Sequence, residues 1–108
     1  MANDPIYELM RSYLDIPGVL ASILVSDQGL VINSASTRDI EIDTISALVI
    51  DTVAAAQRFG EEARVGRLDT MTIEFDELNL LLAPFERDVM LALVGVPGTF
   101  GLRDVAQA

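Results

Sequence analysis

The chain has 108 residues, 51% of them hydrophobic, and a formal charge of −10 from 17 acidic residues against seven arginines, with no lysine. A surface this acidic is repelled by phosphate backbones and anionic lipids, which disfavours nucleic acid and membrane partners. Cysteine and histidine are absent, which excludes disulfides, zinc sites built on those residues, and thiol or histidine catalysis.

Targeting and membrane signals are missing from the sequence. Asp4 and Glu8 occupy the positions where a signal peptide would be basic and then apolar. The longest apolar run, Val89 to Val96, is far shorter than the roughly 20 residues of a membrane-spanning helix. We therefore expect a soluble, cytoplasmic protein that folds as one domain over residues 1–108.

The first predicted element is a helix that Asn3 or Asp4 caps, with Pro5 at its first position. Its apolar face consists of Ile6, Leu9, Met10 and Tyr13. Pro17 and Gly18 end this first segment. A β-hairpin is predicted next.

The hairpin has strands from Val19 to Ser26 and from Leu30 to Asn33 or Ser34. Asp27-Gln28-Gly29 forms the turn between them, with Gly29 supplying a positive φ.

A long helix is predicted from Ile42 to Phe59, with Gly60 as the residue that stops it. The apolar stripe expected to pack on a sheet is Ile45, Leu48, Val49, Val53, Ala56 and Phe59. A second line of Ala47, Ile50 and Ala54, with Gln57 beside it, runs along the opposite side. This line predicts a face for a partner helix, and the alternative is a solvated face with one exposed isoleucine.

Three strands follow, from Arg67 to Phe75, Leu78 to Phe85 and Val89 to Val96. Pro97-Gly98-Thr99 then opens a final helix that carries Phe100, Leu102, Val105 and Ala106. The short connections predict an α+β fold with a five-stranded, largely antiparallel sheet and helices on both faces, in the order α-β-β-α-β-β-β-α.

Chemistry-bearing motifs are nearly absent. No glycine-rich phosphate loop is present, and no side chain is an obvious general base for the serines and threonines. The acidic cluster of Asp69, Glu74, Asp76 and Glu77 lacks the spacing of a calcium site and is more typical of a solvated strand end. We therefore expect no catalytic, cofactor or metal site, and not an enzyme.

Three arginines surround the end of the long helix: Arg58, Arg64 and Arg67. They are candidates for recognising an acidic partner. The alternative is local pairing with Glu61 and Glu62, which contributes little at a surface.

In this order, the elements resemble the Roadblock/LC7 family. The resemblance rests on the hairpin Val19-Leu20-Ala21-Ser22-Ile23-Leu24-Val25-Ser26-Asp27-Gln28-Gly29-Leu30-Val31, the alanine-rich helix ending at Phe59-Gly60, and the leucine-rich strands from Leu78 to Val96. It covers nearly the whole chain.

The resemblance implies a homodimer that pairs the long helix and the third strand. The predicted dimer or partner interface consists of Ala47, Ile50, Ala54, Gln57, Thr70, Thr72 and Glu74. It also implies binding to a prokaryotic Ras-like (MglA-type) small GTPase, as in the MglB-like members, either as a scaffold or as an activator of GTP hydrolysis that has no arginine finger. Arg58, Arg64 and Arg67 are the candidates for recognising that partner. The alternatives are a nucleotide-independent structural adaptor and a small-ligand sensory module.

Overall fold

The computed structural model describes residues 4–99. The elements in this range are α1 (Pro5–Tyr13), β1 (Val19–Ser26), β2 (Val31–Ser36), α2 (Ile42–Glu62), β3 (Met71–Glu74), β4 (Asn79–Glu86) and β5 (Val89–Gly95). They confirm the predicted element order up to β5. The predicted final helix with Phe100, Leu102, Val105 and Ala106 lies outside the described residues.

The helix α1 begins at the predicted cap. The Oδ1 atom of Asp4 accepts hydrogen bonds from the backbone N–H groups of Ile6, at 3.0 Å, and Tyr7, at 3.3 Å. Two of the donors that a helix start leaves unpaired are thereby satisfied. The Nδ2 atom of Asn33 donates to Oδ2 of the same aspartate at 3.3 Å, so the cap also ties α1 to β2. Met10 on the inner face is fully buried.

The five strands form one antiparallel sheet in the order β2-β1-β5-β4-β3. Pairing between β1 and β5 joins the first hairpin to the last three strands, which leaves β2 and β3 at the two edges. The central strand β5 is buried from Met90 to Gly95, as expected for an apolar strand with both faces covered.

Each face of the sheet packs against one helix, which confirms helices on both faces. The core on the α2 side consists of Ala21, Ile23, Val25, Val49, Val53, Leu82, Met90, Ala92 and Val94. The smaller core on the α1 side consists of Met10, Leu24, Ala35, Leu91 and Leu93.

The helix α2 is rotated about its axis relative to the prediction. Leu48 and Phe59, expected on the sheet, are 58% and 69% exposed. Ile50, assigned to the outer line, is half-buried and packs against the α2-side core. The contact face instead includes the buried Ser46 and Gly60, which are small residues without a hydropathy signal.

The predicted end of α2 is also wrong, because Gly60 lies inside the helix. A Cβ atom on Gly60 would overlap the backbone oxygen of Gly66, so this glycine serves a close chain approach. The helix ends two residues later, where the N–H groups of Arg64 and Val65 donate to the oxygens of Glu61 and Gly60 at 3.3 and 3.0 Å. This is a Schellman motif, with Arg64 at the left-handed position (φ 59°).

The strand β3 is shorter than the predicted Arg67 to Phe75, and covers only Met71–Glu74. Its register pairs Met71 with Leu82. Two residues further, the same register would place Asp69 opposite Pro84, which has no N–H to donate and lies beside a register shift in β4. Pairing therefore starts after Thr70.

Candidate partner-binding surfaces

Residues 4–99 contain no group of three or more acidic side chains placed to hold a metal ion. The acidic cluster of Asp69, Glu74, Asp76 and Glu77 is exposed. No helix in the same range is long and apolar enough to cross a membrane. Two surfaces that a partner could contact lie on opposite flanks of α2.

The first surface is an apolar line on α2, which we call the apolar flank: Leu48, Thr52, Ala55 and Phe59. These residues are spaced by four, three and four, so they lie one above another on the helix. Thr52 donates its hydroxyl to the backbone oxygen of Leu48 at 2.9 Å and so presents mainly its methyl group. Leu48 and Phe59 are largely exposed, so the apolar flank has no cover within residues 4–99.

The open edge of β3 is a second element available for self-association. The N–H group of Phe75 donates to the oxygen of Leu78 in β4, so by alternation the backbone groups of Thr72 and Glu74 point away from β4. Their side chains lie on the face opposite Met71 and Ile73, which pack on the α2-side core. Two of the predicted contact residues thus present backbone donors and acceptors to an incoming strand.

The other flank of α2 borders a cleft of about 1220 Å³, which we call the arginine cleft. Ile50, Ala54 and Gln57 form its helical wall, while Arg64 and Arg67 follow the helix end. The opposite wall is the end of β4, the Arg87-Asp88 turn and the start of β5.

Two turns meet at one end of the arginine cleft. Ser26 pairs with Val89, so the β1–β2 and β4–β5 turns lie at the same end of the sheet. The N–H group of Asp27 donates to the oxygen of Asp88 at 3.0 Å and joins the turns. The cleft is thus held by backbone hydrogen bonds between separate elements.

Arginines are more frequent among the residues that line the arginine cleft than in the chain as a whole. Arg64, Arg67 and Arg87 all line it, in a chain that has seven arginines and a net charge of −10. The acidic side chains that line it are Asp27, Glu61, Glu86 and Asp88. Charges of both signs around a partly apolar floor are suited to a protein segment and less so to a small apolar ligand.

Comparison with known proteins identifies the family. The sequence profile of the Roadblock/LC7 domain matches residues 5–95. The chain belongs to the Roadblock/LC7 family. The resemblance drawn from the hairpin, the long helix and the last strands is thereby confirmed. No curated protein sequence matches this Roadblock/LC7 chain significantly.

Solved structures of the family share the fold. A Roadblock/LC7 domain from Streptomyces avermitilis superposes with a TM-score of 0.78 at 16% identity, over 94% of this chain and 98% of that one. MglB from Myxococcus xanthus gives 0.78 at 18% identity, over 99% and 87%. An MglB described as having a tetrameric arrangement gives 0.79 at 19% identity, over 99% and 84%.

The predicted contact residues of this Roadblock/LC7 chain fall into separate groups. Ile50, Ala54, Gln57, Arg64 and Arg67 come together in the arginine cleft. Thr72 and Glu74 lie on the β3 edge and Thr70 directly before it. Ala47 lies beside the Gly29 turn, and Arg58 is exposed outside the residues that line the cleft.

Sequence reasoning missed part of both surfaces. Leu48 and Phe59 were assigned to the core because hydropathy cannot show that Ser46 and Gly60 take the inner positions. Arg87 and Asp88 lie in the short connection between the last two predicted strands, and nothing in their local sequence points to α2. The run Glu86-Arg87-Asp88, three charges between two apolar strands, was the available signal.

Proposed function

We propose that this protein is a self-associating, non-catalytic regulator or scaffold that binds a prokaryotic Ras-like small GTPase of the MglA type. The observation that carries the proposal is the pair of distinct surfaces on α2, on a Roadblock/LC7 fold shared with MglB proteins. One surface suits a second copy of the chain and the other suits a different protein.

Self-association is proposed to use the apolar flank and the β3 edge together. Burying the exposed parts of Leu48 and Phe59 in two copies would contribute roughly 4–8 kcal/mol. Association itself costs about 4–15 kcal/mol, so the apolar contact alone is marginal. Pairing of the β3 edges through Thr72 and Glu74 would add hydrogen bonds and cover an open edge. The tetrameric arrangement described for one MglB supports self-association.

Contact with the GTPase is proposed to use the arginine cleft. The recognition candidates Arg64 and Arg67 line this cleft, which supports the assignment. Ile50, Ala54 and Gln57, predicted from the sequence as a dimer or partner interface, line the same cleft and are assigned here to the partner. The protein would act by binding one arrangement of the GTPase switch regions more tightly than the other. A tenfold preference for the GTP form corresponds to about 1.4 kcal/mol of bias, with no catalytic side chain transferred.

Binding to a Ras-like GTPase of the MglA type tests the proposal. The GTPase is loaded with a non-hydrolysable GTP analogue or with GDP, and the dissociation constant of each complex is measured by calorimetry. We expect at least tenfold tighter binding of the GTP form. Equal binding of both forms would favour a nucleotide-independent adaptor, and no binding of either form would contradict the proposal.

A further inference from the structure

Arg64 occupies a backbone position that usually belongs to glycine. It is the left-handed residue of the Schellman motif that ends α2, with φ 59°. Glycine is the common residue there because a Cβ atom is strained at positive φ. Arginine therefore makes the helix end less stable than glycine would.

Asp88 shows the same feature in the β4–β5 turn. Its φ is 61°, in the left-handed region that glycine, asparagine and aspartate adopt more readily than other residues. The backbone oxygen of Asp88 accepts the N–H of Asp27, so the turn is fixed against the neighbouring hairpin. The side chain is not needed for that hydrogen bond.

These two residues are the non-glycine positions with positive φ among the residues that the structure describes, and both line the arginine cleft. The remaining positive φ values belong to glycines. Strained residues of this kind are found at binding sites, where the side chain is worth more than the backbone strain. Their presence in one cleft, on elements more than 20 residues apart in sequence, points to a shared use.

Within residues 4–99, no hydrogen bond accounts for the two side chains. The side-chain hydrogen bonds within residues 4–99 all involve Asp4 or a serine, threonine or asparagine, and Arg64 and Asp88 take part through their side chains in none of them. Both residues are exposed. The charged groups are therefore accessible to a molecule that enters the cleft.

We propose that Arg64 and Asp88 are specificity-determining residues of the arginine cleft, and that they recognise a partner segment carrying one carboxylate and one cationic side chain. The inference rests on the proposed function and names the chemistry by which the GTPase is recognised. Arg64, supported by Arg67 and Arg87, receives the carboxylate in a chain whose net charge of −10 otherwise disfavours acidic groups. Asp88 receives the cation and fixes the orientation of the segment.

Substitutions at the two positions separate binding from stability. Arg64→Gly and Asp88→Gly relieve the backbone strain, so we expect an unchanged or higher Tm in both variants. Binding of the GTP-analogue-loaded GTPase is expected to weaken about tenfold in each. Arg64→Asn and Asp88→Asn should weaken it similarly, because asparagine tolerates the left-handed backbone but removes the charge.

Arg38→Asn and Asp39→Asn are the matched controls. Both residues are exposed, lie outside the cleft lining, and change the net charge by the same amounts. We expect less than a twofold change in their dissociation constants, measured by calorimetry beside thermal unfolding.

The possible outcomes distinguish this inference from the proposed function. Unchanged binding by the Arg64 and Asp88 variants, with binding by the unaltered protein, would overturn the inference and leave the proposed function standing. Equal weakening in the control variants would also overturn it, because long-range charge would then be the cause. No binding by the unaltered protein in either nucleotide form would overturn both.

Discussion

Gly60 lies inside α2 because of a tertiary contact, although glycine is unfavourable within a helix. Within a helix, glycine costs about 1 kcal/mol relative to alanine. In α2 it lies in the interior, is buried, and allows the backbone oxygen of Gly66 to approach the helix. That approach sets the path of the chain from α2 toward β3 and forms one wall of the arginine cleft.

Gly60→Ala is predicted to lower the free energy of unfolding by about 1–3 kcal/mol, because the added methyl group overlaps backbone that cannot rotate away. Urea unfolding measures the change. Ala47→Gly, at an exposed position of the same helix outside both the apolar flank and the arginine cleft, is the control and should lose only about 1 kcal/mol through helix propensity. An alanine variant as stable as the original protein would contradict the close contact.

At the scale of elements, α2 carries three roles on three sides. Val49 and Val53 pack on the sheet, the apolar flank is uncovered, and the third side borders the arginine cleft. A helix of 21 residues can separate these roles because its flanks are fixed by rotation about one axis. The periodicity of the sequence shows several apolar lines but does not say which line faces inward.

Phe59→Asp is predicted to convert the self-associated protein to monomer without loss of folding. Phe59 is 69% exposed, so the substitution removes little core packing but would place a charge in the proposed interface. Sedimentation equilibrium measures the mass and circular dichroism the fold.

Leu30→Asp is the matched control for that experiment. Leu30 is 65% exposed at the β1–β2 turn, outside both the apolar flank and β3. Its mass distribution should equal that of the original protein. An unchanged mass for the Phe59 variant would exclude the apolar flank as the interface.

On the scale of the whole molecule, the net charge of −10 opposes association of identical copies. An apolar flank and a backbone edge are surfaces that can meet in a second copy with little direct charge contact. The arginine cleft differs, since its proposed contacts join opposite charges. The two kinds of association should therefore respond to salt in opposite directions.

Raising the ionic strength from about 0.01 M to about 0.15 M shortens the Debye length from about 30 Å to about 8 Å. We predict that self-association becomes tighter over this range, because repulsion between the acidic copies is screened. Binding of the GTPase through the arginine cleft should weaken over the same range. Sedimentation measures how self-association depends on salt, and calorimetry measures how binding of the GTPase depends on salt. Self-association that weakens as salt is added would indicate ion pairs in place of apolar contact.

Local sequence by itself determined the elements and their order. Asp4 with Pro5 specifies the start of α1, and the short turns at Asp27-Gln28-Gly29 and Arg87-Asp88 specify antiparallel pairing. These features depend on residues a few positions apart, for which propensity and turn rules hold.

Only the tertiary structure decided which side of α2 faces the sheet, where β3 begins, and which side chains share the arginine cleft. Ser46 and Gly60 lie on the buried side of α2. Pro84 in the neighbouring strand β4 has no N–H group to pair with a longer β3. Arg64 and Asp88 line the same cleft although one follows α2 and the other lies in the β4–β5 turn. These three features depend on shape complementarity between elements that are far apart in the chain. The local hydropathy pattern does not specify that complementarity.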